Sequence, residues 1–249
     1  MLARLRIDYD YLWLVFFSTV WIYSIHRIVG IDKLKSENDS GRFAVISRYK
    51  NHIKLYTLFS TVGILWSLTN QSFQTILLLI PVGLISCSYV IPFLKGGRRI
   101  RDYNYVKILL IGFVWAYISC LPVFQFEVVY GKSILIFIEK MTFVIAITIP
   151  FDIRDLRIDG KMNLLTIPKV IGLTKSYWIS YGLLSLGLIM FITNWGGTTS
   201  NSIIGLLVYF MTGFFIMLSK HKSSDWYFSG LIDASLLLRG LVIWSALQI

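Results

Sequence analysis

Three aspartates at the end of an apolar stretch are the residues of this sequence best suited to chemistry. Asp152, Asp155 and Asp159 have the spacing i, i+3 and i+7, which on a helix places all three carboxylates on one face, with neighbours about one turn apart. Converging carboxylates repel one another unless a cation lies between them. Magnesium suits that position because it takes oxygen ligands and shares them with phosphates and water. Arg154 and Lys161 in the same segment could donate hydrogen bonds to phosphate oxygens.

The same pattern has a second interpretation that involves no ligand. An interfacial helix on which aspartates form ion pairs with neighbouring arginines has a similar distribution of charges, since mixed charges are ordinary at a membrane surface. The spacing of the three aspartates therefore predicts either a magnesium and phosphate site or a helix laced with salt bridges.

The elements that position this segment are long apolar runs. The chain has 249 residues, of which 56% are hydrophobic and 15% are charged, whereas about a quarter of the residues of a soluble domain are charged. The runs have roughly the 20 residues that a helix needs to cross about 30 Å of hydrocarbon. This pattern predicts an all-α, polytopic membrane helical bundle of about eight transmembrane helices, forming a single domain over residues 1–249. The predicted spans are Tyr11–Ile31, Ile53–Thr69, Phe73–Leu94, Val106–Val123, Ser133–Phe151, Ser176–Thr193, Ser202–Leu218 and Gly230–Ile249.

The positive charge alternates along these spans. The net charge is +11, but nearly all basic residues outside the spans follow the first, third, fifth and seventh spans. This distribution argues against nucleic acid as a partner. This asymmetry predicts an integral, multi-pass protein of a bacterial-type plasma membrane, with basic loops and the aspartates in the cytoplasm, both termini outside, and attraction to anionic membrane lipids or a phosphorylated substrate. The 19 residues on the basic side are Arg27, Lys33, Lys35, Arg42, Arg48, Lys50, Lys54, Lys95, Arg98, Arg99, Arg101, Lys107, Arg154, Arg157, Lys161, Lys169, Lys175, Lys220 and Lys222, against Arg4, Arg6 and Lys132 on the other.

Three ionisable residues, Glu139, Lys140 and Arg239, lie deep inside predicted spans, and the first and last of them are considered as partners. Glu139 is in the fifth span and Arg239 in the eighth. Charged groups at such depth are costly and usually face the interior of a helix bundle. We therefore expect these two side chains to form a structural ion pair.

Two segments of the sequence resemble the UbiA-type intramembrane prenyltransferases. The Asp-x-x-Asp-x-x-x-Asp run at Asp152–Asp159, followed by Thr166-Ile167-Pro168 and Gly172, is similar to that family's second aspartate-rich motif. Pro92-Phe93-Leu94-Lys95, at the end of the third span, is similar to its Tyr-Pro-Phe-(Leu/Met)-Lys segment. The resemblance covers most of the chain from the first span onward.

The first aspartate-rich motif of the family is degenerate here. Family members usually have nine spans and carry Asn-Asp-x-x-Asp-x-x-x-Asp after the second, whereas this chain resembles a member that lacks the first helix. At the matching place, the end of the first span, Tyr23 and His26 stand where the two leading aspartates are expected and Gly30 stands at the third. Half of the expected set of magnesium ligands is therefore missing from the sequence.

The resemblance implies a membrane prenyltransferase that uses Mg²⁺ to transfer an isoprenyl group from an isoprenyl diphosphate to a hydrophobic or aromatic acceptor. It implies that Asp152, Asp155 and Asp159 are metal ligands and catalytic residues, and that Lys95 is catalytic and contacts the diphosphate. Arg154 and Lys161 are further candidates for binding the diphosphate. Arg27 or Lys33 could bind it on the side of the site where the first motif lacks aspartates. The alternatives are a non-catalytic isoprenoid- or lipid-binding membrane protein on the same scaffold and a small transporter.

Overall fold

The computed structural model describes residues 8–34, 47–94, 97–126, 130–156, 164–195 and 199–248. Within these ranges the regular structure is helical, apart from one isolated bridge between Leu94 and Arg98. The nine α-helices of the described residues are α1 Tyr9–Leu34, α2 Lys50–Thr69, α3 Phe73–Val90, α4 Val106–Phe126, α5 Tyr130–Arg154, α6 Ile167–Ile171, α7 Leu173–Trp195, α8 Thr199–Ser219 and α9 Asp233–Gln248.

Each of the eight predicted spans overlaps a helix. In the described residues, four helices are long and apolar enough to cross a membrane, namely Tyr9–Val29, Phe73–Val90, Ser133–Arg154 and Leu173–Asn194. Two more contain shorter apolar stretches, Val106–Pro122 and Ile203–Ser219. The all-α membrane bundle predicted from the sequence is thereby confirmed.

Helix α3 ends earlier than the hydrophobicity pattern predicts. Its apolar run continues to Leu94, but the helix ends at Val90 and Ile91 has an extended backbone. The reason is Pro92, because a proline ring disfavours the helical conformation of the residue before it. The four residues after Val90 therefore belong to a connection and not to the span.

The described residues form two compact units, one up to Arg101 and one from Asp102 onward, here called the N-terminal and C-terminal units. The single-domain organisation stays a prediction. In the N-terminal unit α1 packs on α2, and Gly63 allows the close approach: a Cβ there would lie 2.5 Å from the ring of Phe17. Small residues at such contacts are typical of membrane helices, whose association depends on close packing.

The C-terminal unit is built around α5, the most buried of the four long apolar helices. Its core joins α5, α7, α8 and the π-helical segment Tyr227–Ile232 that precedes α9. Pro150 lies inside α5 and has no N–H to donate to the carbonyl of Ala146 one turn earlier. The hydroxyl of Ser180 on α7 donates to that carbonyl at 2.6 Å, so the bond that the proline removes is replaced from a neighbouring helix.

Candidate functional site at the end of helix α5

The aspartates of the second motif begin in the last turn of α5. Asp152 lies inside this turn, and the backbone N–H of Asp155 donates to the carbonyl of Phe151 at 2.9 Å, which continues the helical turn past Arg154. Asp152 and Asp155 therefore have the one-turn relation that the sequence predicts. Asp159 and Lys161 lie outside the described residues, as does Lys95.

Asp152 is buried and ion-paired. The residue is 2% exposed, and its Oδ1 accepts a hydrogen bond from Nζ of Lys107 at 2.7 Å. A carboxylate can be buried in a membrane protein only if a cation or several donors balance its charge. Lys107 performs this role, and its position as the second residue of an apolar helix was not recognised as a signal in the sequence.

The backbone before α4 is fixed tightly and so positions Lys107. Tyr105 has a φ of 61°, in the left-handed region that residues other than glycine rarely adopt. Its N–H donates to the carbonyl of Leu165 at 3.2 Å, and the N–H of Leu165 donates to Oδ1 of Asn104 at 2.9 Å. These reciprocal bonds hold the start of α4 against the segment before α6.

Asp155 is engaged by its neighbour Arg154. Nε of Arg154 lies 2.8 Å from Oδ1 of Asp155, and Nη2 lies 3.1 Å from Oδ2. Nη1 of Arg154 also forms a salt bridge of 3.1 Å with the half-exposed Asp225. The guanidinium lies over the rings of Phe151 and Phe228, at 5.1 and 4.9 Å. These contacts use three of the five N–H groups of Arg154, so two remain for other acceptors.

The residues present fit a magnesium ion by chemistry. Asp152 and Asp155 offer carboxylate oxygens, which Mg²⁺ prefers. Each carboxylate has about four lone-pair sites; Lys107 uses one site of Asp152, and Arg154 uses two sites of Asp155. In the described residues, no three His, Cys, Asp or Glu side chains converge as a metal group. The negative charge of these two aspartates is balanced by Lys107 and Arg154, so binding of a metal ion here requires those cations to turn away.

The N-terminal unit contains a different cluster where the first motif is expected. Nη1 of Arg101 is hydrogen-bonded to Nε2 of His26, and its guanidinium lies 4.8 Å from the centre of the Tyr89 ring. Arg27 is exposed on α1, and Lys33 lies within the same helix. His26, which stands where an aspartate is expected, is therefore in contact with the cation of Arg101, whereas Arg27 and Lys33 were the cations considered from the sequence. The sequence did not single out Arg101, because 75 residues separate it from His26.

A second polar network lies farther along α5. Glu139 accepts from Nη2 of Arg239 on α9 and from the hydroxyl of Tyr209 on α8. The expected Glu139–Arg239 pair is thus present. It lies 13 residues before Asp152, about 20 Å along the helix axis, and it is separate from the aspartate site.

Comparison with known proteins gives one strong structural likeness. No family model matches the sequence, and no curated protein sequence matches it. A solved structure of a digeranylgeranylglyceryl phosphate synthase in membranes matches with a TM-score of 0.60 and 14% sequence identity, covering 96% of this chain and 84% of that chain. That synthase is a UbiA-type membrane prenyltransferase. This protein is therefore an integral membrane protein with the fold of the UbiA-type intramembrane prenyltransferases, the family that its sequence resembles.

Proposed function

We propose that the protein transfers an isoprenyl group from an isoprenyl diphosphate to a hydrophobic or aromatic acceptor, at a site formed by the C-terminal end of α5. The proposal depends most on one observation, the buried Asp152–Lys107 pair in a chain with a prenyltransferase fold. A buried carboxylate paired with a lysine at a helix end suits the exchange of one charged partner for another.

The reaction breaks the bond between the first prenyl carbon and the diphosphate oxygen, and the electron pair leaves with the diphosphate. The acceptor then donates an electron pair to the carbon and loses a proton. When bound, Mg²⁺ would balance the charge of the leaving group, and Asp152, Asp155 and Asp159 would hold it. The apolar faces of the surrounding helices exclude water from the cation-like carbon, and aromatic rings can stabilise it.

Lys107 and Arg154 neutralise the aspartates before the substrate arrives. When a metal and a diphosphate enter, both side chains can turn from carboxylate to phosphate oxygens. The same two cations then balance the aspartates before binding and the diphosphate after it. Arg is well matched to phosphate because its guanidinium presents parallel N–H groups. Lys95 and Lys161 stay candidates for further contacts with the diphosphate.

The site faces the cytoplasm in this proposal. The end of α5 is followed by a connection on the basic side of the chain, and positively charged connections remain on the cytoplasmic side of a membrane. Both termini would then lie outside. The same charge attracts anionic lipids and phosphorylated substrates to this face.

Binding of an isoprenoid or lipid without catalysis is the second candidate. Two observations favour it: Tyr23, His26 and Gly30 replace the first motif, and both oxygens of Asp155 are engaged by Arg154, as in the interfacial helix described above. In that case the protein would hold the substrate and never cleave it.

Pyrophosphate release separates the two candidates. The protein, purified in detergent, would be incubated with isoprenyl diphosphates of several chain lengths, Mg²⁺ and a lipid extract from cells that lack it. We expect pyrophosphate release that requires Mg²⁺ and a prenylated lipid that is missing from those cells. Binding of the isoprenyl diphosphates with no release, for any acceptor in the extract, would support the non-catalytic candidate.

A further inference from the structure

Arg154 is shared between two carboxylates from different parts of the C-terminal unit. Its Nε and Nη2 are bonded to Asp155 at the end of α5, at 2.8 and 3.1 Å. Its Nη1 forms a salt bridge of 3.1 Å with Asp225, in the connection after α8. The two carboxylates use different N–H groups of the guanidinium. Arg154 can therefore leave one of them and keep the other.

The two carboxylates are not equivalent. Asp155 is one helical turn from Asp152 and is a candidate metal ligand, whereas Asp225 is half-exposed and belongs to neither aspartate-rich motif. The side chain of Arg154 is 11% exposed, and a buried cation that loses its counter-ion is strongly destabilising. Arg154 can therefore release Asp155 only if another carboxylate balances its charge. Asp225 is already in contact with it.

The backbone around Asp225 is held in a turn. The N–H groups of Tyr227 and Phe228 both donate to the carbonyl of Ser224, at 3.0 and 3.4 Å. The π-helical segment that begins at Tyr227 contains Phe228, whose ring lies 4.9 Å from the guanidinium of Arg154. Segments of π-helix are rare and are often found at functional sites. The second carboxylate and the aromatic surface under Arg154 thus come from one short stretch of chain.

We propose that Asp225 is a positioning residue that keeps Arg154 bound through Nη1 while Nε and Nη2 turn from Asp155 to a phosphoryl oxygen. Asp155 is then free to bind Mg²⁺. This inference rests on the proposed function, since the metal and the diphosphate are those of that reaction. Without Asp225, the guanidinium has Asp155 as its carboxylate partner at salt-bridge distance and competes with the metal for it.

Binding of Mn²⁺ measures this competition without turnover. Mn²⁺ takes oxygen ligands as Mg²⁺ does, and the electron paramagnetic resonance signal of the free ion falls when it binds to the purified full chain in detergent. We expect Asp225→Asn to bind Mn²⁺ about 10-fold more weakly than wild type, in the range for loss of a group that supports a metal site. Asp225→Glu keeps the charge and should restore most of the affinity. Asp10→Asn, which removes a carboxylate of the N-terminal unit, is the control and should bind like wild type.

A double-mutant cycle with Arg154→Gln shows whether Asp225 acts through Arg154. Arg154→Gln alone should bind Mn²⁺ at least as tightly as wild type, because no cation competes for Asp155. Adding Asp225→Asn to it should change the affinity less than about 2-fold, since residues that act through one contact are not additive. If Asp225 acts only through its own negative charge, the Asn substitution weakens binding equally with and without Arg154.

The Mg²⁺ requirement of pyrophosphate release gives a second readout. Asp225→Asn should need about 10-fold more Mg²⁺ for half of its maximal rate, and its kcat at saturating Mg²⁺ should approach that of wild type. A residue that only stabilises the fold would lower the amount of folded protein and leave the Mg²⁺ requirement unchanged.

The outcomes separate this inference from the proposed function. Wild-type Mn²⁺ affinity in Asp225→Asn, or an equal loss with and without Arg154, overturns the role of Asp225 and leaves prenyl transfer standing. No Mn²⁺ binding by wild type, with or without a non-cleavable isoprenyl thiodiphosphate, overturns it as well. Mn²⁺ binding that depends on Asp225 through Arg154, in a protein that never releases pyrophosphate, supports the role of Asp225 and removes the transferase.

Discussion

Helix α5 carries two carboxylates that are each paired with a cation, and their surroundings differ. Glu139 is 0% exposed, and its two oxygens accept from two other helices, Oε2 from Arg239 and Oε1 from Tyr209. Arg239 in turn lies 5.1 Å from the centre of the Phe143 ring. This network joins α5, α8 and α9, and both oxygens of Glu139 are used in it. The Glu139–Arg239 pair is here called the closed pair.

The pair at the end of α5 is buried to a similar degree, with Lys107 12% and Asp152 3% exposed, but it lies at a helix end next to half-exposed charges and is here called the open pair. Asp152 is bonded to Lys107 at the start of α4, and the adjoining Arg154 extends to the half-exposed Asp225. A closed pair holds helices together, whereas an open pair at a helix end can exchange partners. The comparison teaches that the number and direction of the partners separate a structural ion pair from a candidate site, because both contain the same kinds of charge.

The largest expected effect is on turnover at the open pair. Asp152→Ala or Asp155→Ala should lower pyrophosphate release about 10²- to 10³-fold, by analogy with the removal of a key charge-stabilising group. Membrane insertion should stay intact, because neither change shortens an apolar span, but Asp152→Ala should also lower stability since it leaves Lys107 without its buried partner, so turnover is compared per folded molecule. Asp10→Asn on α1, where the Asn70 side chain donates to the carboxylate at 3.3 Å, is the control. Wild-type activity in both alanine variants would remove the proposed metal site.

Breaking the closed pair should cost stability instead. Glu139→Gln leaves Arg239 buried without a counter-ion, and the free energy of unfolding should fall by about 3–5 kcal/mol. Turnover per folded molecule should stay within about 3-fold of wild type. Denaturant unfolding in detergent measures the first quantity and pyrophosphate release the second. Exchanging the charges in Glu139→Arg with Arg239→Glu should recover part of the loss; no recovery at all would mean that the pair does not stabilise the fold.

Lys107 tests whether the open pair exchanges partners. Lys107→Met should lower kcat/KM about 10- to 100-fold, in the range for removal of a residue that supports a metal site. A rise in KM should contribute, because the diphosphate loses a contact. Lys175→Met removes an exposed lysine of the same unit and serves as the control. If Lys107→Met changes stability alone and leaves both kinetic constants as in wild type, Lys107 is only a counter-ion.

The smallest effect should come from the hydroxyl of Tyr209. Tyr209→Phe removes one bond to Glu139 while the Arg239 pair remains, so the free energy of unfolding should fall by about 1.5–3 kcal/mol. Tyr227→Phe removes a bond of 2.6 Å to the carbonyl of Phe215, a neutral acceptor, and should cost about 1 kcal/mol. Equal costs in the two variants would contradict the view that the charge of Glu139 strengthens its bonds.

The helices could be predicted because apolar run length is a local property of the sequence. The Glu139–Arg239 pair could be predicted because charged residues are rare inside the spans and must find partners there. The end of α3 was misplaced because hydrophobicity continues past Val90, whereas the backbone is interrupted by Pro92.

The partners in the site could not be predicted. Lys107 and Asp152 are 45 residues apart, and no local pattern marks which of the many basic residues reaches which aspartate. Tyr209 is one of 14 tyrosines with nothing in its neighbourhood to distinguish it. The spacing of the aspartates predicted which face of the helix they share, whereas their cationic partner, Lys107, is determined by tertiary packing.

A structure determined by electron cryomicroscopy with Mg²⁺ and a non-cleavable isoprenyl thiodiphosphate would test the central claim most directly. The account predicts that the diphosphate lies at the end of α5, with Nζ of Lys107 bonded to a phosphoryl oxygen and no longer to Asp152. A diphosphate bound elsewhere in the protein, with the Lys107–Asp152 pair intact, would contradict it.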